Sequence, residues 1–177
     1  MHRIEAYSII AIIFIVIINI LYLPILLKLK KKGINPIRQI SYIGLFCSVF
    51  LIIFATILCT PITFQPERHF LNLIPFNWRE NGLKQFFIEE LANIILFIPL
   101  GFFVPAVFRS NRKAYRTVSI TFAITFGIEF LQYFIGRLSD IDDIITNLLG
   151  GIIGYMIFRI MNTFFEKNER WNSFIER

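Results

Sequence analysis

The sequence predicts an all-α integral membrane protein, a bundle of five transmembrane helices, and three observations predict it. Of 177 residues, 56% are hydrophobic and only 17% are charged, where a soluble domain carries about 25% charged residues. The charges are clumped between uncharged runs of about 20 residues, the length a helix needs to cross ~30 Å of hydrocarbon. The connecting segments alternate between rich and poor in Lys and Arg.

The first run, Ala6–Leu27, is long for a signal-peptide core and lacks a small-residue cleavage site, so it reads as a retained span. The second is centred on Ile40–Cys59. The third, Leu91–Phe108, can begin as early as Leu83 and contains Pro99 and Pro105. The fourth, Thr117–Gly136, is interrupted only by Glu129. The fifth starts near Ile144 and runs to about Phe165, with Arg159 close enough to its far end to snorkel.

Charge counting sets the direction. The segment after the first span holds Lys28, Lys30, Lys31, Lys32 and Arg38. The segment after the third holds Arg109, Arg112, Lys113 and Arg116, and the tail adds Arg159, Lys167, Arg170 and Arg177. One side thus carries 13 basic residues and the other 5 (Arg3, Arg68, Arg79, Lys84 and Arg137). The positive-inside rule makes the richer side cytoplasmic, with the N-terminus outside and the C-terminus inside. The net charge of +6 therefore reads as topology, and no nucleic-acid partner is expected. Cys47 and Cys59 share one run; on a helix they stand ~18 Å apart along the axis, too far for a mutual disulfide.

On this topology the loop Pro61–Glu90, rich in aromatics, is extracytoplasmic, and ENGLKQFFIEEL can lie at the interface before the third span. Polar groups converge at the same depth. On the fourth span, Gln132 and Gly136 follow Glu129 at i+3 and i+7 and share its face. On the fifth, Asp143, Asn147, Gly150 and Gly154 form one stripe, polar at the top and small below, and its GxxxG pair admits a close neighbour. On the third, Glu90 and Asn93 stack at i, i+3. An ionised carboxylate in a bilayer needs a partner or a wet cavity. Glu129 accordingly either bonds Asn93 or Asn147 across the bundle or serves such a cavity. Asp143, at a helix start, is placed to cap it, and Asp140 and Asp142 also suit a solvated loop.

Four strings carry a resemblance: NLIPF (Asn72–Phe76), ELANIILFIPLGFFVP (Glu90–Pro105), EFLQ (Glu129–Gln132) and GRLSDIDDIITNLLGGIIGY (Gly136–Tyr155). In their order and spacing the chain resembles the VanZ-like family of bacterial membrane proteins. The resemblance implies a multi-pass protein of the bacterial cytoplasmic membrane. The family's founding member is associated with resistance to the glycopeptide teicoplanin, and a broader proposal links the family to lipid head groups or polyprenol-linked sugars. Carried over by position, the recurrent polar residues are Glu90, Asn93, Glu129, Gln132, Arg137, Asp140, Asp143 and Asn147. The implied organisation is two N-terminal spans over 1–60, a VanZ-like domain over 61–165 and a cytoplasmic tail over 166–177.

Three functions follow as expectations. The first is a membrane-embedded enzyme or binding site for an anionic lipid head group or polyprenol-linked cell-envelope precursor. Arg137 would engage phosphate, Glu129 would act as general base or acid with Asp143 beside it, and Glu90, Asn93, Gln132, Asp140 and Asn147 would orient the substrate. Asp140, Asp142 and Asp143 are candidates to hold Mg or Ca through oxygen ligands. The second is a non-catalytic lipid- or partner-binding protein. The third is a small proton-coupled transporter, which in five spans requires an oligomer. His2 and His69 stand isolated, and the sequence offers no Ser-His-Asp set, zinc constellation or glycine-rich nucleotide loop.

Overall fold

A computed structural model of the protein describes residues 35–58, 70–76 and 83–175. The first expected span, Ala6–Leu27, most of the aromatic loop and Cys59 lie outside the described residues. Within them, four helical segments are long and apolar enough to cross a membrane: Pro36–Ile57, Ile88–Val107, Ala114–Phe134 and Ile141–Phe164. The chain is a multi-pass, predominantly α-helical membrane protein.

Helix α1, Pro36–Ile53, opens where Asn35 Oδ1 accepts from Ile37 N at 3.0 Å, with Pro36 at the first turn. That position needs no N–H, so proline fits there. The helix loosens into a π-helical turn at Phe54–Leu58, which changes the carbonyl pairing at its top. Helix α2, Leu83–Val107, runs unbroken through Pro99 and Pro105 and takes in residues 83–91 of the segment expected to lie at the interface. A 3-10 turn, Arg109–Arg112, reverses the chain into α3, Ala114–Phe134. The last membrane helix, α4, Ile141–Phe164, has Asp140 at its N-cap, whose side chain accepts from Asp142 N at 2.9 Å. A short helix α5, Glu169–Ile175, follows.

Two features depart from expectation. Strand β1, Phe70–Asn72, pairs in parallel with β2, Leu138–Asp140, in the register Phe70↔Leu138, Leu71↔Ser139 and Asn72↔Asp140. Three residues each are too few to leave an alternating pattern in the sequence. The second is α3, which ends at Phe134, so Gly136 is not on its Glu129 face; it sits in the following turn with φ 77°, a conformation glycine adopts freely.

Packing is tightest between α2 and α4. A Cβ on Gly150 would stand 2.2 Å from Ile94 O, and one on Gly154 would stand 2.0 Å from Ile98 O. The predicted GxxxG pair therefore works as read: it lets α4 touch the α2 backbone. The apolar core of the bundle is Ile52, Phe97, Leu100, Val104 and Ile128.

At the basic end, α5 folds back onto the bundle, and Ala106, Phe158, Trp171 and Ile175 form a second core there. Arg38 Nη1 donates to Ala106 O at 2.8 Å and to Phe174 O at 3.1 Å, and Nη2 donates to Val107 O at 2.5 Å. Arg112 donates to the Ile175 carbonyl. These two arginines, counted from the sequence only as topology signals, cap the C-terminal carbonyls of α2 and α5, where cations are favoured.

Candidate functional site

The opposite end of the bundle gathers the polar residues. Glu129 projects from α3 into the interior and is 3% exposed. Its Oε2 accepts from the Asp140 backbone N–H at 2.9 Å, and its carboxylate also bonds the Ser139 side chain, so its partners lie at the entry to α4, and neither Asn93 nor Asn147 takes that part. Asp140 in turn accepts from Asn72 Nδ2 at 3.0 and 3.2 Å. The strand pair thus ends on a carboxylate that joins β1, the α4 cap and Glu129. The capping role expected of Asp143 belongs to Asp140, because α4 starts three residues earlier than hydropathy indicates.

Asp143 instead turns into the bundle, where its Oδ1 accepts from Asn93 Nδ2 at 2.7 Å. Glu129, Glu90 and Asp140 lie near enough to Asp143 to act on it electrostatically. One turn along α4, Asn147 is 2% exposed and its Nδ2 donates to Thr125 Oγ1 at 2.9 Å. Glu90 is half-buried beside Thr146. Carboxylates and amides from α2, α3 and α4 therefore do converge at one end of the bundle.

Gln132 and Arg137 take another direction. Gln132, 4% exposed, donates from Nε2 to Thr56 O at 3.0 Å, and Arg137 Nη1 donates to the same carbonyl. The π-helical turn of α1 presents that acceptor. Arg137 still lies within electrostatic reach of Glu129, yet one face of its guanidinium is committed to tying α1 to the α3–α4 turn.

The expected metal does not fit. Asp140 is engaged as above, Asp142 is buried and accepts from Phe76 N at 2.8 and 2.9 Å, and Asp143 faces Asn93. Successive residues of a helix start point in different directions, so the three carboxylates diverge. Among the described residues no group of three His, Cys, Asp or Glu side chains is placed to hold a metal ion.

Beside Glu129 opens a cavity of about 420 Å³. Leu71, Phe126, Phe130, Ile141 and Ile144 give it apolar walls, and Glu129, Ser139 and Asp140 give it a polar end. Along its α3 side run Phe122, Phe126, Phe130 and Phe134 at four-residue spacing, with successive ring centroids 6.0, 6.5 and 4.7 Å apart. Each is about half exposed on the outer surface of the bundle.

Sequence reasoning missed Thr125, Ser139, Asn72 as a side chain, and the Thr56 carbonyl. One signal was available: Thr117, Thr121, Thr125 and Glu129 recur every four residues, and all four are buried. Such a stripe marks the interior face of a span.

A family model described as VanZ/LLP1 matches residues 40–162. A protein of Enterococcus faecium named Protein VanZ is 35% identical over 104 residues, which cover 56% of this chain and 58% of that protein. The chain thus spans less than two thirds of that relative's length. No solved structure matches.

Proposed function

The chain belongs to the VanZ/LLP1 family, and on that premise we propose that it binds the head group of a membrane lipid or polyprenol-linked cell-envelope precursor. One observation carries this reading: an apolar cavity on the flank of the bundle ends on the buried carboxylate of Glu129. An amphiphile has that same division, with a chain for the phenylalanine-lined wall and a polar head for the converging carboxylates and amides. The N–H groups of Arg137 not spent on Thr56 are the donors a phosphate in the head group would use.

In this reading the basic end faces the cytoplasm and Ala6–Leu27 supplies a fifth span, so the polar end meets the outer leaflet. A site that holds an envelope precursor there is the route by which such a protein would bear on glycopeptide resistance. The test is the lipid that copurifies with the protein, identified by mass spectrometry beside an Ile144→Trp variant that fills the cavity. A polar lipid or polyprenol species enriched over the bulk membrane, and lost in the variant, is the expected result. A profile identical to bulk membrane in both proteins overturns the reading.

A second reading, catalysis, draws on Glu129 itself lining the cavity, where a bound hydroxyl could give up its proton to the carboxylate. Glu129→Gln separates the two. Turnover lost with lipid retained supports catalysis, and an unimpaired variant removes it.

A further inference from the structure

We propose that Ser139 is a nucleophile with Glu129 as its base, and that it takes the acyl group of a carboxylic-ester lipid bound in the cavity; this rests on the lipid-binding reading above. Both residues line that one cavity, at its polar end. Ser139 is the middle residue of β2 and is 6% exposed, on the inward side of a strand whose Leu138 faces out. Its hydroxyl bonds the Glu129 carboxylate. An ionised carboxylate only accepts, so the hydroxyl donates. The Asp140 N–H, 2.9 Å from Glu129 Oε2, holds the carboxylate in place. Nucleophile, base and a third group that orients the base thus stand in sequence.

Other buried hydroxyls of the bundle are spent on the backbone. Ser48, Thr121 and Thr146 each donate to the carbonyl four residues back, and Thr117 donates to Asn111 O. Ser139 stands on a strand, which offers no such carbonyl, and its hydrogen goes to a carboxylate instead. The other carboxylate of the cavity, Asp140, is already engaged by Asn72 Nδ2 and Asp142 N. That leaves Glu129 as the base.

The class of substrate follows from how the cavity is divided. In an ester lipid the carbonyl lies where the apolar chain meets the polar head, and Ser139 lies where the apolar wall meets the polar end. A phosphate at that point would face the carboxylates of Glu129 and Asp140, whereas an ester carbonyl is neutral. In the step, Ser139 Oγ bonds the carbonyl carbon as its proton passes to Glu129. Collapse of the tetrahedral adduct breaks the bond to the alcohol oxygen, and Glu129 returns the proton to that oxygen. The products are acyl-Ser139 and a free alcohol on the head group. Water or a second hydroxyl-bearing molecule then accepts the acyl group and restores the serine.

The test treats the full chain, purified in detergent, with dodecyl fluorophosphonate, which brings an alkyl chain for the cavity and loses fluoride to an activated serine. Peptide mass spectrometry reads the modified residue, and lipid mass spectrometry of the same preparation reads what copurifies. The expected result is an adduct on Ser139, with the exposed Ser110 unmodified. Glu129→Gln keeps an acceptor for the hydroxyl and removes the base, so labelling should slow by at least about a hundred-fold. No adduct on Ser139, or a rate unchanged by Glu129→Gln, overturns the serine assignment, and a lipid enriched over bulk membrane in that same preparation leaves lipid binding standing. Neither an adduct nor an enriched lipid overturns both.

Discussion

Asp140 serves three partners at once: it accepts from Asp142 N at the start of α4, accepts from Asn72 Nδ2 on β1, and donates its own N–H to Glu129. The backbone donation survives substitution, and the two side-chain roles do not. Asp140→Ala is expected to lower stability by about 1 to 2 kcal/mol through the lost cap, and Asp140→Asn should retain most of it, since asparagine caps nearly as well. Thermal unfolding in detergent checks both. At this scale the sequence was informative about depth and poor about direction. Glu129, Asn93, Asp143 and Asn147 are where an apolar stretch with one polar interruption must bury it; of these, Asn93 and Asp143 bond each other, while Glu129 pairs with the Asp140 N–H and Asn147 with Thr125. Arg137 was read as a phosphate ligand because it is the one cation near that depth, but its Nη1 bond goes to Thr56 O. Nothing in a hydropathy pattern announces that α1 ends in a π turn with an acceptor to offer.

The α2–α4 contact sets how the two helices approach, and therefore where Asn93 stands against Asp143. Gly154→Leu would drive a side chain into the Ile98 carbonyl, and backbone cannot yield there. The expected cost is about 3 kcal/mol or more, seen as poor recovery of folded protein and loss of the Asn93–Asp143 pairing. Gly127→Ala is the control: nothing lies within 4 Å of an added Cβ, so the melting temperature should hold or rise. The Gly150–Gly154 repeat was legible because it repeats. Gly101 was not, although a Cβ there would stand 2.0 Å from Gly151 O. It is a lone small residue in a run of large ones, and its counterpart lies far along the chain, where no local period links the two.

The molecule has two ends with opposite chemistry, and each is fastened by residues remote in sequence. At the basic end, Arg38 holds the last turns of both α2 and α5. Arg38→Met removes one set of donors and leaves buried carbonyls unanswered, each at a cost of about 1 to 3 kcal/mol. With Trp78→Phe as background, Trp171, now 8% exposed, should shift its fluorescence to longer wavelength as α5 detaches. An unshifted spectrum would mean that the aromatic contacts of α5 suffice without the arginine. Helix number over the described region and the basic-to-polar alternation were open to inspection in the sequence. The folded-back α5 was not, because a seven-residue amphipathic segment rich in charge reads the same as a solvated tail. At the polar end, the parallel pairing of β1 with β2 has a consequence for biogenesis. Parallel neighbours require a crossover, and here the crossover contains α2 and α3, two complete passages through the bilayer. The two strands cannot zip together until both passages are finished and the chain has returned to the side it left. Closure of that small ladder is thus a late event in membrane insertion, and a chain stalled halfway leaves the edge of β1 unmatched.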